Sequence, residues 1–306
     1  MTTGTEQPAE VTRRLFDCAQ PILGTAPAMA EIRAHKGLLK DTNLHVEDTG
    51  DTGRPVVLIH GWPLSGESWA DQVPALVQAG YRVVTYDRRG FGRSDKPLTG
   101  YTYDTLTEDL QAILTELDLR DATLVGFSMG GGEAARYCAT YGTDRLRSVV
   151  FAAAVPPYLM QTGDNPDGPL TKAQAAQMTA QLTADQDSFY DQFTTDFFTA
   201  DGRLAVTEEQ RQQALALAHQ AAKPAALACM TAFATTDFRD DLGKVTVPAL
   251  VIHGDSDGTV PFEGSGRRTH DALPGSELHV IHGGPHGINV SHADEFNRAL
   301  LAFLER

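Results

Sequence analysis

The sequence predicts an α/β protein: a mostly parallel central sheet with helices on both faces and a helical insertion ahead of its last strands. Three observations lead there. Short, wholly apolar runs alternate with amphipathic helical segments, the pattern of strands buried on both sides. Glycine-rich turns follow several of those runs, at the strand ends where such sheets bind ligands. The alternation then stops between Ala154 and Leu242, where the chain reads as helices alone.

The elements follow in order. Asn43 to Glu47 and Pro55 to Ile59 read as strands, the second ending at His60-Gly61. Ser68 to Ala79 reads as a helix, closed by Gly80, and Arg82 to Tyr86 as the next strand. Leu106, Leu110, Ile113, Leu114 and Leu117 share one face of a helix over Leu106 to Leu117. A strand from Ala122 to Gly126, a helix from Met129 to Thr140 and a strand from Leu146 to Ala153 complete the first half. After the insertion come a strand from Val247 to His253, a helix from Gly264 to Leu273, a strand from Glu277 to Ile281 and a helix from Ala293 to Leu304. Within the insertion, a Pro/Gly/Asp loop from Gly163 to Pro169 precedes Ala- and Gln-rich helices, and Phe189, Phe193, Phe197 and Phe198 recur at helical spacing. An insertion of this kind, over about residues 155–242, is expected to form a lid on the site. Residues 1–35 lack periodicity and read as an N-terminal extension to a domain spanning 36–306.

Composition excludes several function classes. Hydrophobic residues make up 42% and charged residues 21% of the 306, an ordinary globular balance. A formal charge of −15 disfavours nucleic acid and anionic membrane as partners. Cys18, Cys138 and Cys229 are too few and too far apart for a disulfide framework or a metal site, so no metal and a reduced, cytoplasmic setting are expected. No apolar run is long enough to span a bilayer. Thr12-Arg13-Arg14-Leu15-Phe16 has the look of a twin-arginine export start with Ala28-Met29-Ala30 as a cleavage site. Asp17, Gln20, Pro21 and Pro27 interrupt the segment that export needs to be apolar.

The chemistry concentrates in four places. Gly126-Phe127-Ser128-Met129-Gly130 matches G-x-S-x-G between a predicted strand and a predicted helix. A serine on so tight a turn needs small neighbours, and its hydroxyl gains the N–H groups and positive dipole end of the helix beside it. Ser128 is therefore the candidate nucleophile, and an α/β-hydrolase fold follows from that context. Such a serine needs a base oriented by a carboxylate, in the chain order Ser, Asp, His. Two candidates exist for each: Asp255 or Asp257 after one late strand, and His282 or His286 after the next. Asp255 reads as a turn cap and His282 as a packed strand end, but spacing does not decide either choice. An oxyanion needs two N–H donors. Met129 supplies one. Trp62, in His60-Gly61-Trp62-Pro63, is placed to supply the other, because Pro63 has no N–H. His60 is expected to order that loop.

At this point the sequence resembles a family. His60-Gly61-Trp62-Pro63-Leu64, Asp87-Arg88-Arg89-Gly90-Phe91-Gly92-Arg93-Ser94, Gly126-Phe127-Ser128-Met129-Gly130-Gly131-Gly132-Glu133, Ala232-Phe233 with Thr236-Asp237-Phe238, and His253-Gly254-Asp255 with Pro285-His286-Gly287 look like the cofactor-free bacterial haloperoxidases. These are also called non-haem chloroperoxidases or perhydrolases, and closely similar aryl esterases belong with them. The resemblance covers about residues 36–306 and implies a triad of Ser128, Asp257 and His286 with Trp62 and Met129 as oxyanion donors. It implies an esterase that needs no cofactor, acting on a small-molecule ester or carboxylic acid, and a homo-oligomer. It also implies perhydrolysis: Pro63 matches the residue after the oxyanion tryptophan in perhydrolases, where hydrogen peroxide attacks the acyl-enzyme and the peracid oxidises halide in solution. Phe127 and Pro63 are expected beside the substrate, and the arginine-rich loop is expected to support the fold. A lactamase or amidase on the same triad, or a ligand-binding receptor on the same scaffold, are the alternatives.

Overall fold

The computed structural model describes residues 28–34, 42–50 and 52–306. The arginine pair at positions 13 and 14, and Cys18, lie outside them. Eight strands form one sheet: β1 (Ala28–Ala34), β2 (Thr42–Asp48), β3 (Pro55–Ile59), β4 (Arg82–Tyr86), β5 (Ala122–Phe127), β6 (Leu146–Ala152), β9 (Ala249–Gly254) and β10 (Glu277–Ile281). A two-residue hairpin, β7 (Thr199–Ala200) with β8 (Arg203–Leu204), stands apart. The sheet order is β1-β2-β4-β3-β5-β6-β9-β10. β1 with β2 and β2 with β4 are antiparallel, and every later pair is parallel.

The inner strands are apolar at consecutive positions because each of their faces packs a different core. Val57, Ile59, Leu124, Val149 and Phe151 join the side of α2 (Tyr103–Glu116) and α3 (Met129–Tyr141). Val56, Leu58, Val125, Val150 and Ile252 join the side of α1 (Val73–Gln78) and α11 (Ala293–Leu304). Among the described residues no helix is long and apolar enough to cross a membrane.

Three elements differ from expectation. The helix expected over Ser68 to Ala79 is two pieces, a 3₁₀ turn at Gly66–Trp69 and then α1. Pro74 explains the break: it cannot donate to Ala70, and its ring would clash with that carbonyl in a continuous helix. β1 comes from within the segment expected to lie outside the domain. Ala-Met-Ala-Glu-Ile-Arg-Ala has little strand propensity, but seven paired positions along β2 hold it as the sheet's edge. Gly264 lies in a short 3₁₀ turn, and the helix after it, α9 (Gly266–Ala272), starts two residues later than expected.

Between β6 and β9 the insertion folds as α4 (Lys172–Ala184), α5 (Gln186–Phe197), α6 (Glu208–Ala218) and α7 (Lys223–Thr235). Thr171 and Thr207 close capping boxes on α4 and α6, and the Asp185 side chain caps α5. The short α8 (Arg239–Leu242) ends the segment against α3 rather than with the other insertion helices.

Candidate active site

Ser128 stands between β5 and α3 with φ 54° and ψ −118°, a left-handed backbone rare for any residue but glycine. Its neighbours make the turn possible. A Cβ on Gly126 would lie 2.4 Å from the Gly130 carbonyl oxygen, and one on Gly130 would lie 2.5 Å from that of Ile59. The turn is held by Ser128 N–H donating to Ala152 O (2.9 Å) and by Val155 and Gly131 N–H donating to Ser128 O (both 3.1 Å).

The choices left open by spacing resolve geometrically. Ser128 Oγ lies 2.9 Å from His286 Nε2, and His286 Nδ1 lies 2.6 Å from Asp257 Oδ2. All three side chains are buried. Thr259 and Val260 N–H donate to Asp257 Oδ1 at 2.9 and 2.7 Å. Burial alone would raise the Asp257 carboxyl. The charge of His286 and hydrogen bonds from His253 and His286 outweigh it, holding the group well below the usual carboxylate range. Asp255 accepts from Gly283 N–H at 2.7 Å, the turn cap expected of it. His282 pairs with Asp255 at 2.8 Å, and its side chain is 87% exposed instead of packed, because it sits just past the end of β10.

His60 is fully buried at the end of β3. Arg88 N–H can only donate, so His60 Nε2 accepts from it at 2.9 Å and Nδ1–H donates to Gly61 O at 2.9 Å. Burial first, and the nearby Arg88 charge second, push this imidazole down to about 3, so it is neutral. Arg88 also donates to His60 O (2.7 Å) and, through Nε, to Glu133 Oε1 of α3 (2.7 Å), whose Oε2 accepts from Tyr86 (3.0 Å). This buried ion pair ties the His60–Pro63 loop to the helix that follows Ser128. Arg89 pairs with buried Asp109 at 2.5 Å, so the arginine-rich loop supports the fold as expected.

Trp62 and Met129 flank the serine, and neither N–H donates a hydrogen bond among the described residues. The Trp62 indole donates to Ala226 O at 3.0 Å, and its ring meets Phe189, Phe193 and Phe233 edge-on. A cavity of about 700 Å³ opens above Ser128 and His286 beneath α4, α5 and α7. Trp62, Val155, Leu159, Phe193, Phe233 and Val260 are among its walls. Phe127 and Pro63, expected beside the substrate, do not line it. Phe127 packs 5.3 Å from the His286 ring, centroid to centroid, and supports it from beneath. Pro63 is buried after a cis Trp62-Pro63 bond. Cys138 and Cys229 are free and buried. Among the described residues no group of three His, Cys, Asp or Glu side chains is placed to hold a metal ion.

The chain is similar to known proteins over most of its length. The model of the alpha/beta hydrolase fold family matches residues 54–293. The "Non-heme chloroperoxidase CPO-A1" of Kitasatospora aureofaciens is 44% identical over 257 residues, 83% of this chain and 93% of that protein. A "Bifunctional esterase/perhydrolase" of Acinetobacter calcoaceticus is 35% identical over 272 residues, 86% of this chain and 96% of its own. The crystal structure of a bromoperoxidase from Bacillus anthracis superposes with a TM-score of 0.87 at 53% identity, covering 91% of this chain and all of that one. With the family model matched across residues 54–293 and relatives of this identity covered almost end to end, the chain belongs to the α/β hydrolase family.

Proposed function

We propose that the protein hydrolyses small carboxylic esters through an acyl-enzyme on Ser128. The observation that carries this reading is the unbroken series Ser128 Oγ, His286, Asp257, with bonds of 2.9 and 2.6 Å, at the floor of a mostly apolar cavity. His286 Nε2 takes the proton of Ser128 as Oγ attacks the ester carbonyl. Asp257 holds the proton on Nδ1 and balances the positive charge that the ring acquires. The N–H groups of Met129 and Trp62 receive the developing oxyanion, each worth about 2.7–4 kcal/mol of barrier. His286 then protonates the leaving alcohol, and water repeats the sequence in reverse to release the acid. Among the described residues no lysine or arginine lines the cavity, which suits a neutral ester better than an anionic one.

Perhydrolysis extends the same chemistry. Hydrogen peroxide in place of water attacks the acyl-enzyme and yields a peracid, and the resident acyl donor can be a carboxylic acid. Support comes from the relative named as a bifunctional esterase/perhydrolase and from Pro63 after Trp62. The test is hydrolysis of p-nitrophenyl acetate by wild type and Ser128→Ala, beside peracid formation from acetate and peroxide. Both activities are expected in wild type and neither in the variant. Undiminished hydrolysis in Ser128→Ala would overturn the assignment, and hydrolysis without peracid would remove the perhydrolase reading alone.

A further inference from the structure

We propose that His253 is a positioning residue for the Asp257 carboxylate: a neutral imidazole whose Nε2–H is shared between Val260 O and Asp257 Oδ2. The inference rests on the triad reading above and adds a fourth member behind it. His253 is the penultimate residue of β9 and fully buried. Its Nε2 lies 2.9 Å from Val260 O and 3.2 Å from Asp257 Oδ2, the oxygen that His286 also engages.

The chemistry of the partners fixes the tautomer. A carbonyl and a carboxylate only accept, so Nε2 must carry a proton. Nδ1 is buried and has no hydrogen-bond partner among the described residues. Gly266 of α9 closes that side so tightly that a Cβ there would lie 2.4 Å from Nδ1, and the Phe262 ring lies 5.6 Å away, centroid to centroid. A second proton on Nδ1 would be stranded, so the ring is neutral. Asp257 and, beyond it, His286 are the titratable groups that face it.

Two consequences follow for Asp257. Thr259 N–H, Val260 N–H and His286 fill three of its acceptor sites, and His253 Nε2 stands 3.2 Å from Oδ2 beside them, which leaves the carboxylate one orientation. The Asp257–Val260 loop is also held from both sides, since Val260 donates to Asp257 while accepting from His253. Removing the His253 N–H frees the carboxylate to turn and concentrates its charge on the bond to His286. The first effect lowers kcat. The second stabilises the protonated His286 and moves the acid limb of the kcat/KM profile to higher pH.

The test compares His253→Phe, which keeps a ring without a donor, and His253→Gln, whose amide nitrogen reaches about as far as Nε2. On p-nitrophenyl acetate, His253→Phe is expected to lose about tenfold in kcat with KM within about twofold, and its acid limb should move up. His253→Gln should recover most of the loss. Phe and Gln variants that are folded and equally impaired, or a Phe variant with wild-type kcat and profile, would overturn the proposal. Nitrogen-15 NMR of wild type needs no variant to fold and no turnover. It is expected to report a neutral Nε2–H ring for His253, and an Nδ1–H or doubly protonated ring would equally overturn it. Failure of the serine mechanism itself would show separately, as hydrolysis surviving in Ser128→Ala.

Discussion

Ser128, the nucleophile of the proposed mechanism, sits on a strained backbone. A φ of 54° costs a serine on the order of 1–3 kcal/mol, and glycine much less. Ser128→Gly is therefore expected to melt about 1 kcal/mol more stable than wild type while losing ester hydrolysis. A glycine variant that is less stable would contradict the strained turn. His60 shows the opposite bargain, a buried ring kept neutral to bond two backbone groups. Its folded value, near 3, lies below the ordinary 6.5, so the unfolded chain takes up a proton first as pH falls. Its contribution is complete above about pH 6.5 and is lost progressively toward pH 3. Asp257, also depressed on folding, adds loss of the same sign below about pH 4. Melting temperatures should be level above about pH 6.5 and fall from there toward pH 4, partly offset by Glu133 and Asp109, whose carboxyls burial raises, and a profile that rises toward pH 4 would contradict a buried neutral His60.

The strand–turn–helix unit of β5 and α3 works only if α3 can approach β3. Gly130 makes that approach, and Gly130→Ala puts a methyl group against the backbone of Ile59. We expect about 1–3 kcal/mol of lost stability and a larger fractional loss of kcat than of protein. The Arg88–Glu133 pair joins the same helix to the loop carrying Trp62. Glu133→Leu strands a buried guanidinium and should cost about 3–5 kcal/mol by denaturant melts, and adding Arg88→Met should recover part of that loss, the Tyr86 hydroxyl and His60 O staying unpaired. Elements whose signal is local were legible in the sequence: β3, β4 and β10 lie where apolar runs place them, and α11 where its amphipathic stripe does. β1 was not, because its strand state comes from pairing with β2 rather than from its own residues. The break before α1 was legible in Pro74, yet the apolar spacing around it outweighed that signal.

Across the whole molecule, the site is assembled from four strand ends that only the sheet order brings together. The serine was readable from one turn, since strand, glycines and helix are contiguous in sequence. The choice between Asp255 and Asp257 was not, because it depends on which carboxylate faces the loop after β10, and spacing carries no such direction. The same reason hides His253 and the Arg88–Glu133 pair, whose partners are distant in the chain or behind the turn. The insertion roofs the cavity with aromatic side chains of α5 and α7 around Trp62, so under the proposed mechanism acyl selectivity would belong to the fit between insertion and sheet. The most direct measurement of the account is mass spectrometry of wild type quenched during p-nitrophenyl acetate turnover. One acetyl group is expected on the peptide carrying Ser128, accumulating in Asp257→Asn or vanishing in Ser128→Ala as each step is slowed or removed. An acetyl group on another side chain, or steady turnover with Ser128 never acylated, would contradict it.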